Sequence, residues 1–198
     1  MMVIAVTNRK LCQDCFTDRV RILINSQPFL VILREKDLTD AEYENLAAEI
    51  IKESKNSKAI LSLNRPHIAL KLGIENVHLT LTDIEKNDRP EKIKRVGVSV
   101  HSLEDAIKAE KLGADYLIAG HIYATDCKKG LAPRGIEFLR SVISVVGIPV
   151  FAIGGICEGN FHEPLNAGAR GVCLMSELMT CRDPQKQINI YKQYQENG

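Results

Sequence analysis

Eight short apolar runs alternate with helix-like segments from one end of this chain to the other, and that alternation constrains the fold more than any other feature. The runs are 3–7, 29–33, 59–63, 76–79, 95–100, 115–119, 148–153 and 171–175. Several are continuously apolar, such as Phe29-Leu30-Val31-Ile32-Leu33, as expected of parallel strands covered on both faces. The segments between them carry helix signals. Thr39 with Glu42 forms a capping box before a helix running to Ser54. Ser102 caps a helix over 102–112, with Asp105 at the box position and Gly113 as its stop. Further helices are expected over 14–25, 66–72 (ended by Gly73), 133–145, 158–167 (stopped by Gly168) and 184–195. Residues 80–94 are polar and irregular, and no full helix is placed there.

Eight strand–helix units in 198 residues come to about 25 residues per unit. The expected fold class is therefore α/β, a closed (β/α)8 TIM barrel, in one domain over 1–198. An open doubly wound sheet is the alternative. Closure is preferred because it removes the strand edges an open sheet must protect.

Charge and composition exclude several function classes. A net charge of +1 gives no basic excess for nucleic-acid binding. No apolar run is long enough to span a bilayer, and the first residues, MMVIAVTNRK, read as a strand and not a signal peptide. A cytoplasmic protein is expected, with its six cysteines as free thiols. Cys12 and Cys15 form a CxxC that lacks the second pair or the histidines of a zinc site, so it reads as structural or incidental. Cys173 lies in an apolar run and reads as core.

Polar groups gather where the strands end, which in a barrel is one face, the face that binds ligands. Strand two runs into Arg34 and Lys36, strand three into Asn64, strand four towards Asp83. Strand five offers Ser99 and His101. Strand seven ends in Gly154 and Gly155, and strand eight in Met175 and Ser176. The densest stretch is Gly120 to Lys129, GHIYATDCKK, after strand six. It packs His121, Thr125, Cys127 and Lys128 into a loop that needs none of them as a linker.

Glycines let backbone N–H groups approach a phosphate closely, and the loops after strands seven and eight are the usual barrel phosphate site. Arg34, Lys36 and Lys128 add positive charge for an anionic, phosphorylated substrate. His121 is the natural proton carrier, since imidazole titrates near about pH 6.5. His67, His78, His101 and His162 are weaker candidates. His78 alternates within a strand, and His162 falls on an outer helix.

LREKDL (33–38), GVSVHSLEDAIKAEKLGADYLIAG (97–120), TDCKKG (125–130), IPVFAIGGI (148–156) and NAGARGVCLMS (166–176) together resemble the thiamine phosphate synthase superfamily along almost the whole chain. The resemblance implies a (β/α)8 barrel and one of two activities. The synthase branch joins hydroxymethylpyrimidine pyrophosphate to thiazole phosphate with Mg²⁺, releasing pyrophosphate. Several positions depart from that branch. Ile32 replaces its glutamine, and Asn64-Arg65-Pro66 lacks the aspartate that follows the asparagine. His121, Ala124 and Cys127 stand in the loop after strand six where two prolines and a threonine would be. Asp83 and Lys128 still match. Losing one of two carboxylates weakens a Mg²⁺ site.

The tautomerase (TenI-like) branch has a loop resembling GHxxxTDCKKG. That resemblance implies aromatisation of the carboxythiazole phosphate released by thiazole synthase, with His121 carrying the proton and no metal or organic cofactor. On this reading Gly154, Gly155, Met175 and Ser176 hold the phosphate. Arg34, Lys36, Asn64, Ser99, Thr125, Cys127 and Lys128 contact the remaining polar groups, with Cys127 either a second proton donor or a packing residue. The expected partner is a phosphorylated thiazole, with no nucleic acid and no membrane; a homodimer is left open. The synthase remains the first alternative. A non-catalytic barrel that binds thiazole or thiamine phosphate and regulates a partner is the second.

Overall fold

Each of the eight apolar runs becomes a strand of a closed parallel barrel in the computed structural model, which describes residues 1–53, 59–86, 89 and 92–194. The strands are β1 Met2–Val6, β2 Leu30–Leu33, β3 Ile60–Leu63, β4 Asn76–Thr80, β5 Arg95–Val100, β6 Tyr116–Gly120, β7 Val150–Ile153 and β8 Gly171–Leu174. They pair in sequence order, and β8 closes on β1, with Ile4 opposite Cys173. The expected fold class holds, and the open-sheet alternative does not.

Alternation along each strand builds two separate apolar clusters. Residues such as Val3, Val31, Leu63, Val98, Leu117 and Val172 pack outwards against the helices. Ile4, Val6, Leu30, Ile32, Tyr116, Ile118, Phe151 and Cys173 form a second cluster with no helix residue in it, which is the barrel interior. Tyr116 needs room there. A Cβ on Gly97, its neighbour on β5, would lie 2.0 Å from the tyrosine Cζ, so this glycine is the space the ring occupies.

The helices are α1 Phe16–Asn25, α2 Asp40–Glu53, α3 Pro66–Lys71, α4 Leu81–Lys86, α5 Leu103–Lys111, α6 Gly135–Val145, α7 His162–Asn166, α8 Ser176–Thr180 and α9 Pro184–Gln193. The Thr39–Glu42 box forms in both directions: the Thr39 amide donates to Glu42 at 2.8 Å, and the Glu42 amide to Thr39 Oγ1 at 3.3 Å. Ser102 caps α5 by accepting from the Asp105 amide at 3.0 Å. The return bond comes from the His101 amide and not from Ser102 itself. The expected end of the second helix, Ser54, and of the last, Gln195, lie outside the described residues.

Two helices were not expected. The Thr80 amide and hydroxyl donate to Asp83 Oδ2 at 3.0 and 2.6 Å, and the Asp83 amide returns to Thr80 Oγ1, so α4 starts on a capping box inside the polar stretch. α8 is a five-residue helix directly after β8. Conversely, the helix expected over 158–167 shrinks to α7. Asn160 holds the preceding turn, accepting from the Cys157 amide and donating to the Gly155 carbonyl, both at 2.9 Å. Among the described residues no helix is long and apolar enough to cross a membrane.

Candidate active site

The strand alternation that fills the barrel also selects the residues at its mouth. Carrying the inward-facing set to the end of each strand or one step past it reaches Asn8, Arg34, Asn64, Thr80, His101, Gly120, Gly155 and Met175. All eight line one cavity of about 1000 Å³ at the C-terminal ends of the strands. His121, Lys36, Ser99, Thr125, Cys127, Lys128, Gly154 and Ser176 line the same cavity. The twelve residues singled out in the sequence are thus brought together, with none left elsewhere on the surface.

His121 stands on a braced stem. The Ile122 amide donates to the Ile153 carbonyl and the Tyr123 amide to the Gly154 carbonyl, both at 2.9 Å, so the loop after β6 first runs along the end of β7. The Arg134 amide returns to the His121 carbonyl at 2.9 Å and closes the loop. His101 donates from Nδ1 to the Gly120 carbonyl at 2.7 Å, fixing the residue before the histidine. The Tyr123 hydroxyl reaches Glu163 on α7 at 2.6 Å. Thr125 Oγ1 accepts from the Cys127 amide at 3.4 Å, capping a single 3-10 turn at Asp126–Lys128. His121 itself is 8% exposed.

Gly154 and Gly155 have a packing reason that the sequence did not reveal. Both have positive φ, +102° and +65°. A Cβ on Gly154 would lie 2.3 Å from His121 Cβ, and one on Gly155 would lie 2.4 Å from the Ala124 carbonyl oxygen. The pair is the seat of the histidine's stem, whatever else its amides bind.

Arg34, Lys36 and Lys128 bring three unpaired cations to the cavity. No carboxylate among the described residues forms an ion pair with Arg34, Lys36 or Lys128. Arg34 pulls the Lys36 ammonium below its ordinary pKa, burial and Lys128 add to this, and Asp83 opposes it. Burial holds the Arg34 guanidinium below its ordinary value too. Like charges kept this close without partners store repulsion that an anion relieves.

Three of the four carboxylates lining the cavity are engaged, while Asp126 meets only Lys129, at 3.8 Å, and is largely exposed. Asp83 Oδ2 caps α4. Asp40 receives Arg65 and His67, the latter at 3.0 Å. Glu177 accepts from Gln187 at 2.9 Å and from the Tyr191 hydroxyl at 2.5 Å. Arg65 also donates to the Leu38 and Glu35 carbonyls and lies 4.5 Å over the Tyr43 ring. Just past Asn64, then, the cavity wall carries a clamped guanidinium, and no cluster of three His, Cys, Asp or Glu able to hold a metal occurs among the described residues. Of the two carboxylates that the synthase resemblance implies for Mg²⁺, Asp83 is present and Arg65 follows Asn64 where the second would be, which leaves a weaker donor set.

The floor is uncharged. His78 is buried, with Nδ1 3.1 Å from the Tyr116 hydroxyl and Nε2 2.9 Å from Ser99 Oγ. Burial first, and the nearby Arg34 charge second, push the His78 pKa down to about 3. The CxxC lies away from the cavity. Cys12 donates to Asp14 Oδ1 at 2.8 Å, and Asp14 is held at about 2 chiefly by its hydrogen bonds from Arg19. All six cysteines are free, and Cys173 is core as expected.

The family model of thiamine monophosphate synthase matches residues 3–178. A thiamine-phosphate synthase of Pyrococcus horikoshii is 36% identical over 186 residues, covering 91% of this chain and 88% of its own. One from Clostridium tetani is 35% identical over 162 residues, covering 79% and 77%. The solved thiamine phosphate pyrophosphorylase of Pyrococcus furiosus superposes with a TM-score of 0.82 at 28% identity, covering 96% of this chain and 93% of that one. These relatives carry the name of the synthase, the first alternative above, and nothing in them singles out the tautomerase branch.

Proposed function

The chain belongs to the thiamine monophosphate synthase family, and within it we propose a thiazole tautomerase that aromatises a carboxythiazole phosphate by proton transfer through His121. The observation that carries this reading is His121, held on its stem at a cavity where Arg34, Lys36 and Lys128 have no carboxylate partner among the described residues. Arg34, Lys36 and Lys128 attract the anionic ends of such a substrate, while His121 meets it from the stem after β6.

The reaction needs only a proton moved. His121 takes the proton from ring C2, the electron pair closes the aromatic ring, and the exocyclic carbon at C5 receives a proton. The sum is an isomerisation with no net change in charge or oxidation state. A neutral imidazole serves as base in the first half and as its own conjugate acid in the second. The gain in aromaticity drives the reaction, so the protein supplies position and protons. Gly154, Gly155, Met175 and Ser176 face the cavity where a phosphate meets backbone amides, and Asn64, Ser99, Thr125 and Cys127 supply the remaining polar contacts.

The second reading is the synthase, favoured by the names of the relatives and by Asp83 and Lys128. Both reactions can be run on one preparation. Freshly generated thiazole tautomer is followed by ultraviolet absorbance in a chelator. Pyrophosphate release is followed separately with Mg²⁺, hydroxymethylpyrimidine pyrophosphate and thiazole phosphate. Acceleration of the first without the second is expected. Mg²⁺-dependent pyrophosphate release with no effect on the tautomer would replace this reading by the synthase.

A further inference from the structure

Strand β4 sends into the barrel a histidine that the proton-transfer reading does not use. His78 has one partner on each ring nitrogen: the Tyr116 hydroxyl at Nδ1, 3.1 Å away, and Ser99 Oγ at Nε2, 2.9 Å away. Ser99 and His78 both line the ligand cavity, whereas Tyr116 lies below it in the interior cluster.

We propose that His78 is a positioning residue, the Nε2–H tautomer whose N–H occupies the Ser99 oxygen and leaves the Ser99 hydroxyl proton to be donated to the ligand. The inference deepens the function proposed above and rests on its assignment of the cavity as the ligand site.

Tyr116 cannot swing away: its ring lies across Gly97, stacks on His78 at 5.6 Å and meets Phe151 edge-on at 5.7 Å. Burial holds its phenol protonated, with its pKa well above the ordinary value. A buried O–H needs an acceptor. The Ser62 hydroxyl lies close enough to pull the Tyr116 pKa down a little, but no hydrogen bond of acceptable geometry joins them, so His78 Nδ1, 3.1 Å away, is the acceptor that Tyr116 uses. A neutral imidazole has one lone pair and one N–H. Its lone pair is taken at Nδ1, so the N–H is at Nε2 and points at Ser99. A second proton on His78 is opposed by burial and by the Arg34 charge.

Two consequences follow. Ser99 presents a donor, so the ligand atom opposite it is an acceptor: a ring nitrogen, or a carboxylate or phosphate oxygen. The chain of bonds from Ser99 through His78 also ends inside the barrel, at Tyr116. It therefore orients and does not carry protons, which separates His78 from His121.

The test has two arms. In the first, two-bond ¹H–¹⁵N correlation of the imidazoles in labelled full-length protein reads the tautomer directly. The Nε2–H pattern is expected for His78 in the wild type, with a mixture of tautomers in Tyr116→Phe. An Nδ1–H pattern or an imidazolium in the wild type overturns the proposal. In the second, thiazole phosphate is titrated into wild type, Tyr116→Phe, Ser99→Ala and the double variant. Each single change is expected to weaken binding about tenfold or less, and the double variant to bind like Ser99→Ala alone, because Tyr116 acts through Ser99. Losses that multiply in the double variant overturn the proposal. If thiazole phosphate fails to bind even the wild type, the ligand assignment above is at fault, and the tautomer measurement still judges His78.

Discussion

Gly154 supports His121 so closely that no side chain fits between them: a Cβ on the glycine would lie 2.3 Å from the histidine Cβ. Gly154→Ala must therefore push the stem of the β6 loop aside. Displacement of a catalytic group by about 1 Å can cost about a hundredfold in rate. Turnover is expected to fall ten- to a hundredfold, while the barrel still folds with a melting temperature lower by a few degrees. Gly73→Ala is the control. Gly73 also has positive φ, +71°, but no atom lies within 4 Å of the added Cβ. It should show a similar loss of stability and unchanged kcat.

The cation cluster sets a trade of stability against affinity. Lys36→Gln relieves repulsion from Arg34 and Lys128 and removes attraction for the ligand. Thiazole phosphate should bind several-fold more weakly, and thermal stability should hold or rise. The pH dependence has a definite sign. The folded-state pKa of Lys36 lies below its ordinary 10.5, so between those two values the unfolded chain binds more protons and stability rises with pH. An anion in the cavity raises the folded pKa again, so ligand binding takes up protons in that window. Calorimetric titrations in two buffers of different ionisation enthalpy read the uptake, which should vanish in Lys36→Gln.

His78 predicts an acid-side slope. Its pKa falls from 6.5 to about 3 on folding, so between those values the unfolded chain carries the extra proton. The resulting stability is complete above the unfolded value and is lost as pH falls towards the folded one, by at most about 1.4 kcal/mol per pH unit. Urea unfolding of wild type and His78→Gln across this range isolates it. Glu35, whose pKa is raised by burial, titrates in the opposite sense in both proteins and cancels in the difference. The wild type should show the steeper slope.

What could be read in advance follows from what is local. Apolar runs and capping boxes are local, so the eight strands, α2, α5 and the fold itself were legible. The Thr80–Asp83 box was equally local but lay in a polar stretch with no helical stripe to mark it. Residues at the strand ends were legible as a face because parallel strands share a direction. The Asp40–Arg65–His67 cluster was not, because it forms only when β2 and β3 pair and bring together residues about 25 positions apart. Nor was the seat that Gly154 and Gly155 make for the loop after β6. A glycine pair reads alike whether it faces a phosphate or another stretch of backbone. The tautomerase proposal rests on single positions such as His121 and Arg65, while relatives 31–36% identical overall bear the synthase name.

Arg65 makes the metal question testable. Its guanidinium binds Asp40 and two carbonyls and covers Tyr43, so Arg65→Ala should cost about 2 kcal/mol, a fall of roughly 6 °C in melting temperature. Millimolar Mg²⁺ or EDTA should leave both the wild-type melting temperature and tautomer turnover unchanged. A Mg²⁺-dependent rise in either would show a metal site in this cavity.

The most direct test of the central claim compares wild type with His121→Ala on freshly generated carboxythiazole phosphate tautomer in a chelator, with product affinity measured on both proteins. The expected result is acceleration of the absorbance change by wild type, loss of at least about a hundredfold in the variant, and product binding within a few-fold of wild type. Equal rates in the two proteins, or no acceleration by wild type, would contradict the assignment of His121 as the proton carrier.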